Sequence, residues 1–302
     1  MDISTYFKHL EKPAEKVEAV LDTDTYNEID DQFALAYLLR SQDKVDLKAI
    51  YAAPFLNIKS TSAADGMEKS YDEILKLLDF MKIEYKDVYK GSTAFLSNEK
   101  EPVLSDAAAN LVKRVKNRSA DNPLYIVAIC AITNIASTLL IDPSIKDKII
   151  VIWLGGHAFH WHNNREFNLY QDIASARVVF ASGCPLILFP CMGVVDHLAT
   201  TGPELDFWLK GKNEFCDYLV KITEEEAKLY YTSETWSRSI WDVAAAAWLA
   251  GPDNGIFSRL EHRPVPQYDD RYSFDKNAPL IRYVYGINRD IIFEDLFNKL
   301  AK

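Results

Sequence analysis

The chain has 302 residues, of which 48% are hydrophobic and 26% are charged, so it is long enough to bury a large core. Its formal net charge of −10 argues against a nucleic acid or an acidic membrane surface as partner. Residues 1–16 lack the apolar segment of a signal peptide, and no uninterrupted apolar stretch approaches membrane-spanning length. Because the four cysteines form no C-x-x-C pair, we expect reduced thiols in a cytoplasmic protein.

Strand-like apolar runs and helical patterns alternate along the chain without a repeat or a linker, which predicts one domain spanning residues 1–302. The apolar runs predict strands at 19–21, 47–53, 88–89, 124–132, 149–154, 185–189 and 282–285. Helical spacing predicts helices at 31–41, 67–78, 107–115, 133–140, 172–181, 207–222 and 240–249. This alternation indicates an α/β fold, with an open, mostly parallel sheet and helices on both faces.

Ligands of such sheets bind outside the carboxyl ends of the strands. That rule places three parts of the sequence on one rim: residues 22–31, residues 133–134 and the segment after Gly156. We therefore look for functional side chains in these three segments.

The first predicted strand is followed by five carboxylates within ten residues, namely Asp22, Asp24, Glu28, Asp30 and Asp31. Carboxylates this close repel one another unless they spread into water or a cation neutralises them. An acidic turn whose aspartates cap the following helix would account for one or two of them. Five are better explained by a hard divalent cation, which takes several oxygen ligands.

Four motifs occur in an order and spacing that resemble those of the inosine-uridine preferring nucleoside hydrolases. They are D-x-D with D-D-x-x-A at residues 22–34, T-N-I-A at 133–136, G-G at 155–156 with E-F-N at 166–168 and D-x-x-x-A at 172–176, and W-D-V-x-A at 241–245. Together they span residues 17 to about 249. The resemblance implies a Rossmann-like nucleoside hydrolase fold and hydrolysis of ribonucleosides to ribose and free base.

The resemblance also implies a calcium ion and a ligand set for it. Asp24, Asp31, the main-chain carbonyl of Thr133 and Asp242 would hold the ion, together with a water and two ribose hydroxyls. Asp30 would be the general base on that water. This assignment fits the chemistry, because breaking an N-glycosidic bond passes through an oxocarbenium-like sugar that nearby anionic groups stabilise.

Further positions matching the family would contact the ribose. Glu166 and Asn168 match the family motif directly. The family also has a ribose-contacting asparagine before this glutamate, and both Asn163 and Asn164 are candidates for that position. We assign it to Asn164. Asn57 follows the second predicted strand where the family has Gly-Asn, and it would fill that role from a rearranged loop.

Residues 25–29 depart from the family pattern through an apparent two-residue insertion between Asp24 and Asp30. The insertion leaves Asp22 as an alternative to Asp24 for holding the cation. It also offers Glu28 as an additional source of oxygen.

Trp241 stands where many family members have a histidine that protonates the leaving base. The purine-preferring branch has tryptophan there, stacking on the base, so we predict a purine rather than a pyrimidine leaving group. In the alternative, Trp241 packs in the core beside Ile240 and Trp248. A histidine among His157, His160 and His162 could supply the acid, although their spacing makes a zinc site improbable. The candidates for a second stacking aromatic are Tyr89, Phe95 and Tyr231.

Two other functions are consistent with parts of the pattern. A nucleoside- or ribosyl-binding protein could keep the cation site without turnover, although it would not need both Asp30 and Asp31. The D-x-D motif also resembles the haloacid dehalogenase-type phosphatases, but Tyr26 stands where they have a small residue. Family members are commonly dimers or tetramers, so the resemblance implies self-association.

Overall fold

The computed structural model describes all 302 residues, and its centre is an eight-stranded sheet. The strands of the chain are β1 (Val17–Thr23), β2 (Val45–Ala52), β3 (Val88–Lys90), β4 (Leu124–Ala128), β5 (Ile149–Leu154), β6 (Leu186–Phe189), β7 (Ala199–Thr200), β8 (Arg238–Ser239), β9 (Ile256–His262), β10 (Val265–Gln267), β11 (Arg271–Ser273) and β12 (Leu280–Ile287). The central sheet has the order β3-β2-β1-β4-β5-β6-β12-β9, and only β9 runs antiparallel to its neighbour. Two small antiparallel pairs, β7 with β8 and β10 with β11, lie outside it.

Helices cover both faces of the sheet. They are α1 (Ile3–His9), α2 (Asp30–Leu39), α3 (Ala63–Phe80), α4 (Asp106–Val115), α5 (Thr133–Ile141), α6 (Phe167–Gln171), α7 (Ile173–Ser182), α8 (Gly202–Trp208), α9 (Glu214–Tyr230), α10 (Val243–Ala250) and α11 (Arg289–Leu300). None of them combines the length and the apolar character needed to cross a lipid bilayer.

Alternate residues of each central strand enter two different cores, as the pleat of a strand requires. In β1, Ala19 and Leu21 pack with helices α2 and α10, whereas Val20 packs with α4, α5 and α7 on the other face. Both faces are therefore buried, which explains why the strands appear in the sequence as continuous apolar runs. The predicted α/β class with a mostly parallel sheet is confirmed.

Two predicted elements differ from the structure. The predicted strand at 124–132 ends at Ala128, because the chain turns there into α5 and the turn itself is buried and apolar. The predicted helix at 207–222 is two helices, separated by a turn in which Gly211 has a φ of 73° and Asn213 caps α9. Helices α1, α6 and α11, strand β9 and both small antiparallel pairs were not predicted.

Candidate active site

A cavity of about 190 Å³ opens at the carboxyl ends of the parallel strands. Asp24 follows β1, Ile129 follows β4, and Leu154 ends β5, so three neighbouring strands contribute to its wall. Asp242 reaches the same cavity from the residue before α10. The sheet topology thus brings together residues more than two hundred positions apart in the sequence.

Carboxylates form a compact cluster at this cavity. One oxygen from each of Asp30, Asp31 and Asp242 lies within 4.8 Å of the other two, and all three side chains are buried. The main-chain N–H of Asp242 donates to Asp30 at 3.2 Å, and the hydroxyl of Thr23 donates to Asp31. Asp24 is also buried and lines the cavity, and its Oδ2 has no hydrogen-bond partner.

The pKa values of the four aspartates at the site are all raised. Burial is the largest cause, and it raises the pKa of Asp24, Asp31 and Asp242 well above the usual range, with repulsion among the carboxylates adding to it. Burial also raises the pKa of Asp30, although the positive charge of Arg238 acts in the opposite direction. Dense buried oxygens, one of them unpartnered, are a donor set that fits a hard divalent cation.

Asp22 is separated from this cluster. It does not line the cavity, and its Oδ1 accepts a hydrogen bond from the Asn134 side chain at 2.7 Å. Burial raises the pKa of Asp22 to about 7 against the effect of that hydrogen bond. Of the two aspartates between which the sequence did not decide, Asp24 is the one at the cavity.

Thr133 lies away from the cavity, whereas Ile129 lines it. Thr133 is the first residue of α5, and its hydroxyl donates to Asp172 at 2.7 Å. Ile129 donates its N–H to the Asp22 carbonyl at 2.9 Å, and its own carbonyl accepts no main-chain hydrogen bond. The sequence analysis did not single out Ile129, because a main-chain carbonyl has no side-chain signature and its only signal is its place after a strand.

Glu166 and Asn168 both line the cavity at the start of α6. The Glu166 carboxylate caps this helix, accepting from the N–H groups of Gly156 at 2.8 Å, Asn168 at 3.0 Å and Leu169 at 2.9 Å. Burial raises the pKa of Glu166 to about 7 in spite of these hydrogen bonds. The Asn168 side chain donates to the carbonyl of Leu154 at 3.1 Å, which leaves its amide oxygen free.

Asn164 and Asn57 do not line the cavity but hold residues that do. Asn164 is buried, and its side-chain oxygen accepts from the N–H of His157 at 2.7 Å. Asn57 donates to the side chain of Asn27 at 2.6 Å. Their positions are therefore one layer behind the surface that a ligand would touch.

The inserted segment forms part of the cavity wall through Asn27 and Glu28. Arg238, which the sequence analysis missed, is buried and donates to the Glu28 carboxylate. Burial raises the pKa of Glu28 to about 7, and the charge of Arg238 opposes this shift. No local sequence pattern indicated Arg238, because its partner lies 210 positions earlier in the chain.

Trp241 is half-buried and lines the cavity, and the Arg238 guanidinium lies 5.0 Å from the centroid of its ring. One face of the indole is thus next to Arg238, and the ring also packs against the core. Of the three clustered histidines, only His157 lines the cavity. Its Nδ1 accepts from the N–H of Met192 at 3.3 Å, and burial lowers its pKa. Tyr89, Phe95 and Tyr231 are absent from the cavity wall.

Comparison with known proteins adds independent findings. The family model described as inosine-uridine preferring nucleoside hydrolase matches residues 19–266. The chain is 23% identical over 301 residues to the pyrimidine-specific ribonucleoside hydrolase RihA of Klebsiella pneumoniae (strain 342), covering 86% of this chain and 94% of that protein. The RihA protein of Salmonella enteritidis PT4 is 25% identical over 249 residues, covering 72% of this chain and 78% of that protein.

Two solved structures share the fold. The purine-preferring ribonucleoside hydrolase from Gardnerella vaginalis superposes with a TM-score of 0.76 at 20% identity, covering 94% of this chain and 98% of that one. An inosine-guanosine nucleoside hydrolase superposes with a TM-score of 0.74 at 16% identity, covering 94% and 98%. Together with the family match over most of its length, these findings show that the chain belongs to the inosine-uridine preferring nucleoside hydrolases, which hydrolyse the N-glycosyl bond of ribonucleosides.

Proposed function

We propose that this protein is a calcium-dependent ribonucleoside hydrolase that prefers purine nucleosides. The observation that carries the proposal is the buried group of Asp30, Asp31 and Asp242, together with the cavity that Asp30, Asp242 and the buried Asp24 line. Trp241 is in the same cavity wall. Four buried carboxylates would destabilise the fold if all were ionised without a cation, so the arrangement favours a cation-binding role over a structural one.

The residues that would hold the cation are Asp24, Asp31, Asp242 and the main-chain carbonyl of Ile129. We propose Ile129 in place of Thr133 because Ile129 lines the cavity and its carbonyl has no main-chain partner. Carboxylates mixed with a carbonyl are typical Ca²⁺ ligands. A bound divalent ion would neutralise the cluster and lower the pKa of a water molecule at the site.

Asp30 is our candidate for the base that takes a proton from the attacking water. Its carboxylate lines the cavity, and the N–H of Asp242 holds one of its oxygens at 3.2 Å. Burial raises its pKa toward the range in which a carboxylate is an effective proton acceptor. The surrounding negative charge would also stabilise the oxocarbenium character that develops on the sugar.

The ribose would lie against Glu166 and Asn168. Glu166 is fixed by three main-chain N–H groups, so its carboxylate can accept from a ribose hydroxyl without having to become ordered on binding. The free amide oxygen of Asn168 is a second acceptor.

Trp241 supports the preference for purines, because a larger ring system gains more from stacking on the indole. The named RihA relatives are pyrimidine-specific, whereas the Gardnerella structure is purine-preferring, so base preference has to be measured directly.

The decisive experiment measures free base released from inosine, guanosine, adenosine, uridine and cytidine by protein treated with a chelator and then resupplied with Ca²⁺. We expect release only with the cation and faster release from purine nucleosides. A matched pair of variants, Asp30→Asn and the exposed Asp43→Asn, separates catalysis from general charge effects. If nucleosides bind but no base is released under any condition, the protein is a nucleoside-binding member of the family and the proposal is wrong.

A further inference from the structure

Two neighbouring side chains of the inserted segment present complementary hydrogen-bonding groups at the cavity. The main-chain N–H of Lys59 donates to the side-chain oxygen of Asn57 at 2.8 Å, so the Asn57 amide nitrogen faces Asn27. That nitrogen donates to Asn27 Oδ1 at 2.6 Å, which leaves the Nδ2 donor of Asn27 without a protein partner. Flipping the side-chain amide of either Asn27 or Asn57 would lose a hydrogen bond, so the positions of the oxygen and nitrogen of the Asn27 amide are fixed.

Glu28 supplies the acceptor beside this donor. Arg238 donates to its Oε2, and Oε1 has no partner in the protein. The free atoms of Asn27 and Glu28 are both accessible to solvent, and both residues line the cavity. Glu28 also lines a second cavity beside Ile29 and Lys59, and we infer that its free oxygen faces the first one. Consecutive residues then offer a ligand an N–H donor and a carboxylate acceptor.

Arg238 shows which part of the ligand these groups would meet. It donates to Glu28 and also lies 5.0 Å from the centroid of the Trp241 ring, so Glu28 is on the Trp241 side of the cavity. If Trp241 stacks on the nucleobase, the free atoms of Asn27 and Glu28 lie next to the edge of that base. This step rests on the function proposed above.

We propose that Asn27 and Glu28 select nucleosides whose base carries a carbonyl oxygen beside a ring N–H. The carbonyl accepts from the amide of Asn27, and the ring N–H donates to the carboxylate of Glu28. Hypoxanthine, guanine and uracil offer this pair. Adenine and cytosine carry an amino group beside an unprotonated ring nitrogen, which sets donor against donor and acceptor against acceptor. Arg238 is a positioning residue that keeps Glu28 in place.

Matched substrates test this selection directly. Inosine and adenosine differ only in this pair of groups on the base, and 1-methylinosine replaces the ring N–H while keeping the carbonyl. We expect kcat/KM for inosine to exceed that for adenosine, and that for 1-methylinosine, by about 10- to 100-fold, the range of a hydrogen bond to a charged group. Wild-type values within about threefold of each other would overturn the inference.

Variants assign the selection to the two residues. In Glu28→Gln the side chain can donate as well as accept, so the inosine-to-adenosine ratio should fall toward one. Glu84→Gln makes the same charge change at an exposed site away from the cavity and should leave the ratio unchanged. Asn27→Asp replaces the donor by an acceptor and should shift the ratio toward adenosine. Unfolding temperatures of all variants show that they are folded.

Equilibrium binding separates a failure of this inference from a failure of the proposed function. Calorimetry with the free bases should show tighter binding of hypoxanthine than of adenine, and Glu28→Gln should reduce the difference. If no nucleoside is hydrolysed but this binding preference holds, the selection is supported and the hydrolase proposal is wrong. Glu28→Gln could instead leave unchanged both the inosine-to-adenosine ratio of kcat/KM and the hypoxanthine-to-adenine ratio of affinities. If nucleosides are then still hydrolysed, the selection is wrong and the hydrolase proposal stands.

Discussion

Asp30 and Asp31 are consecutive residues with different surroundings. Successive side chains at the start of a helix point about 100° apart, so the two carboxylates have different hydrogen-bond partners, although one oxygen of each lies within 4.8 Å of the other. Asp31 accepts from the hydroxyl of Thr23 and is not part of the cavity wall, whereas Asp30 lines the cavity and accepts from the N–H of Asp242. This difference supports a division of labour in which Asp31 holds the cation and Asp30 accepts a proton.

The Asp30→Asn variant tests that division. An amide cannot accept the proton, so we expect kcat for inosine to fall by about 10²- to 10⁴-fold. Affinity for Ca²⁺, measured by calorimetry, should change much less than in Asp31→Asn. Equal loss of Ca²⁺ affinity in both variants would make Asp30 a ligand rather than a base.

Replacing Trp241 tests whether its ring serves the substrate or the core. Trp241→Phe keeps an aromatic face, whereas Trp241→Ala removes it. If the indole stacks on a base, Trp241→Ala should weaken nucleoside binding by about 0.5–1.5 kcal/mol more than Trp241→Phe, seen as a higher KM for inosine. A lower unfolding temperature with an unchanged KM would instead favour the packing role.

At the scale of elements, the turn between α8 and α9 has a specific requirement. Gly211 adopts a φ of 73°, and a Cβ added there would meet no atom within 4 Å. A substitution is therefore disfavoured by backbone conformation alone. We expect Gly211→Ala to lower the free energy of unfolding by about 1 kcal/mol, and Gly211→Asn by less, because asparagine tolerates left-handed backbone better. Chemical denaturation measures both, and equal effects would contradict this explanation.

The same turn shows where prediction from sequence failed. Apolar residues lie on both sides of the turn, at 207–209 and 215–219, and they were assigned to one helix. Residues 210–214 between them contain no apolar side chain, and Gly211 and the capping Asn213 were the available signals of a break. The buried strands were predictable because a parallel sheet covered on both faces needs continuous apolar runs. Long-range partners were not predictable, since nothing near Arg238 indicates that it pairs with Glu28.

The carboxylates of the candidate site were predicted from the sequence, whereas the main-chain carbonyl of Ile129 at the same cavity was not. Asp24, Asp30 and Asp242 were all proposed from the resemblance to the nucleoside hydrolases, with Asp22 as an alternative to Asp24, and the fold brings these three to one cavity. Ile129 was overlooked because carbonyl groups are common to all residues, so only the end of a strand distinguishes one. Side-chain chemistry is visible in a sequence, whereas the exposure of a backbone group depends on the fold.

At the scale of the whole molecule, the raised pKa values make stability depend on pH. Burial raises the pKa of Asp22 and of Glu166 to about 7 from the ordinary values of 3.8 and 4.5. Between these values the folded state binds more protons than the unfolded state, so stability falls as pH rises through this range. Each group contributes on the order of a few kcal/mol to that fall.

Burial also raises the pKa values of Asp24, Asp31 and Asp242, the proposed Ca²⁺ ligands. Calcium should oppose the trend through these three groups, because a cation neutralises the carboxylates that protons neutralise at lower pH. We expect chelator-treated protein to unfold at a lower temperature at about pH 8 than at about pH 5.5, with Ca²⁺ raising the unfolding temperature more at the higher pH. Scanning calorimetry at both pH values, with and without the ion, measures this. Equal stabilisation at the two values would contradict a linkage between cation and protons.

The wide sequence separation within the acidic cluster has a consequence for biosynthesis. Asp30 and Asp242 are 212 positions apart, and β12, which lies inside the sheet between β6 and β9, is translated after both of its neighbours. A nascent chain on the ribosome therefore exposes its acidic segment long before Asp242 emerges from the exit tunnel. Chains stalled before Asp242 would lack one aspartate of the acidic cluster, and their sheet would end at β6, without β12 and β9. If the cluster holds a cation as proposed, binding by all of its ligands follows synthesis of Asp242 and cannot guide folding of the first strands.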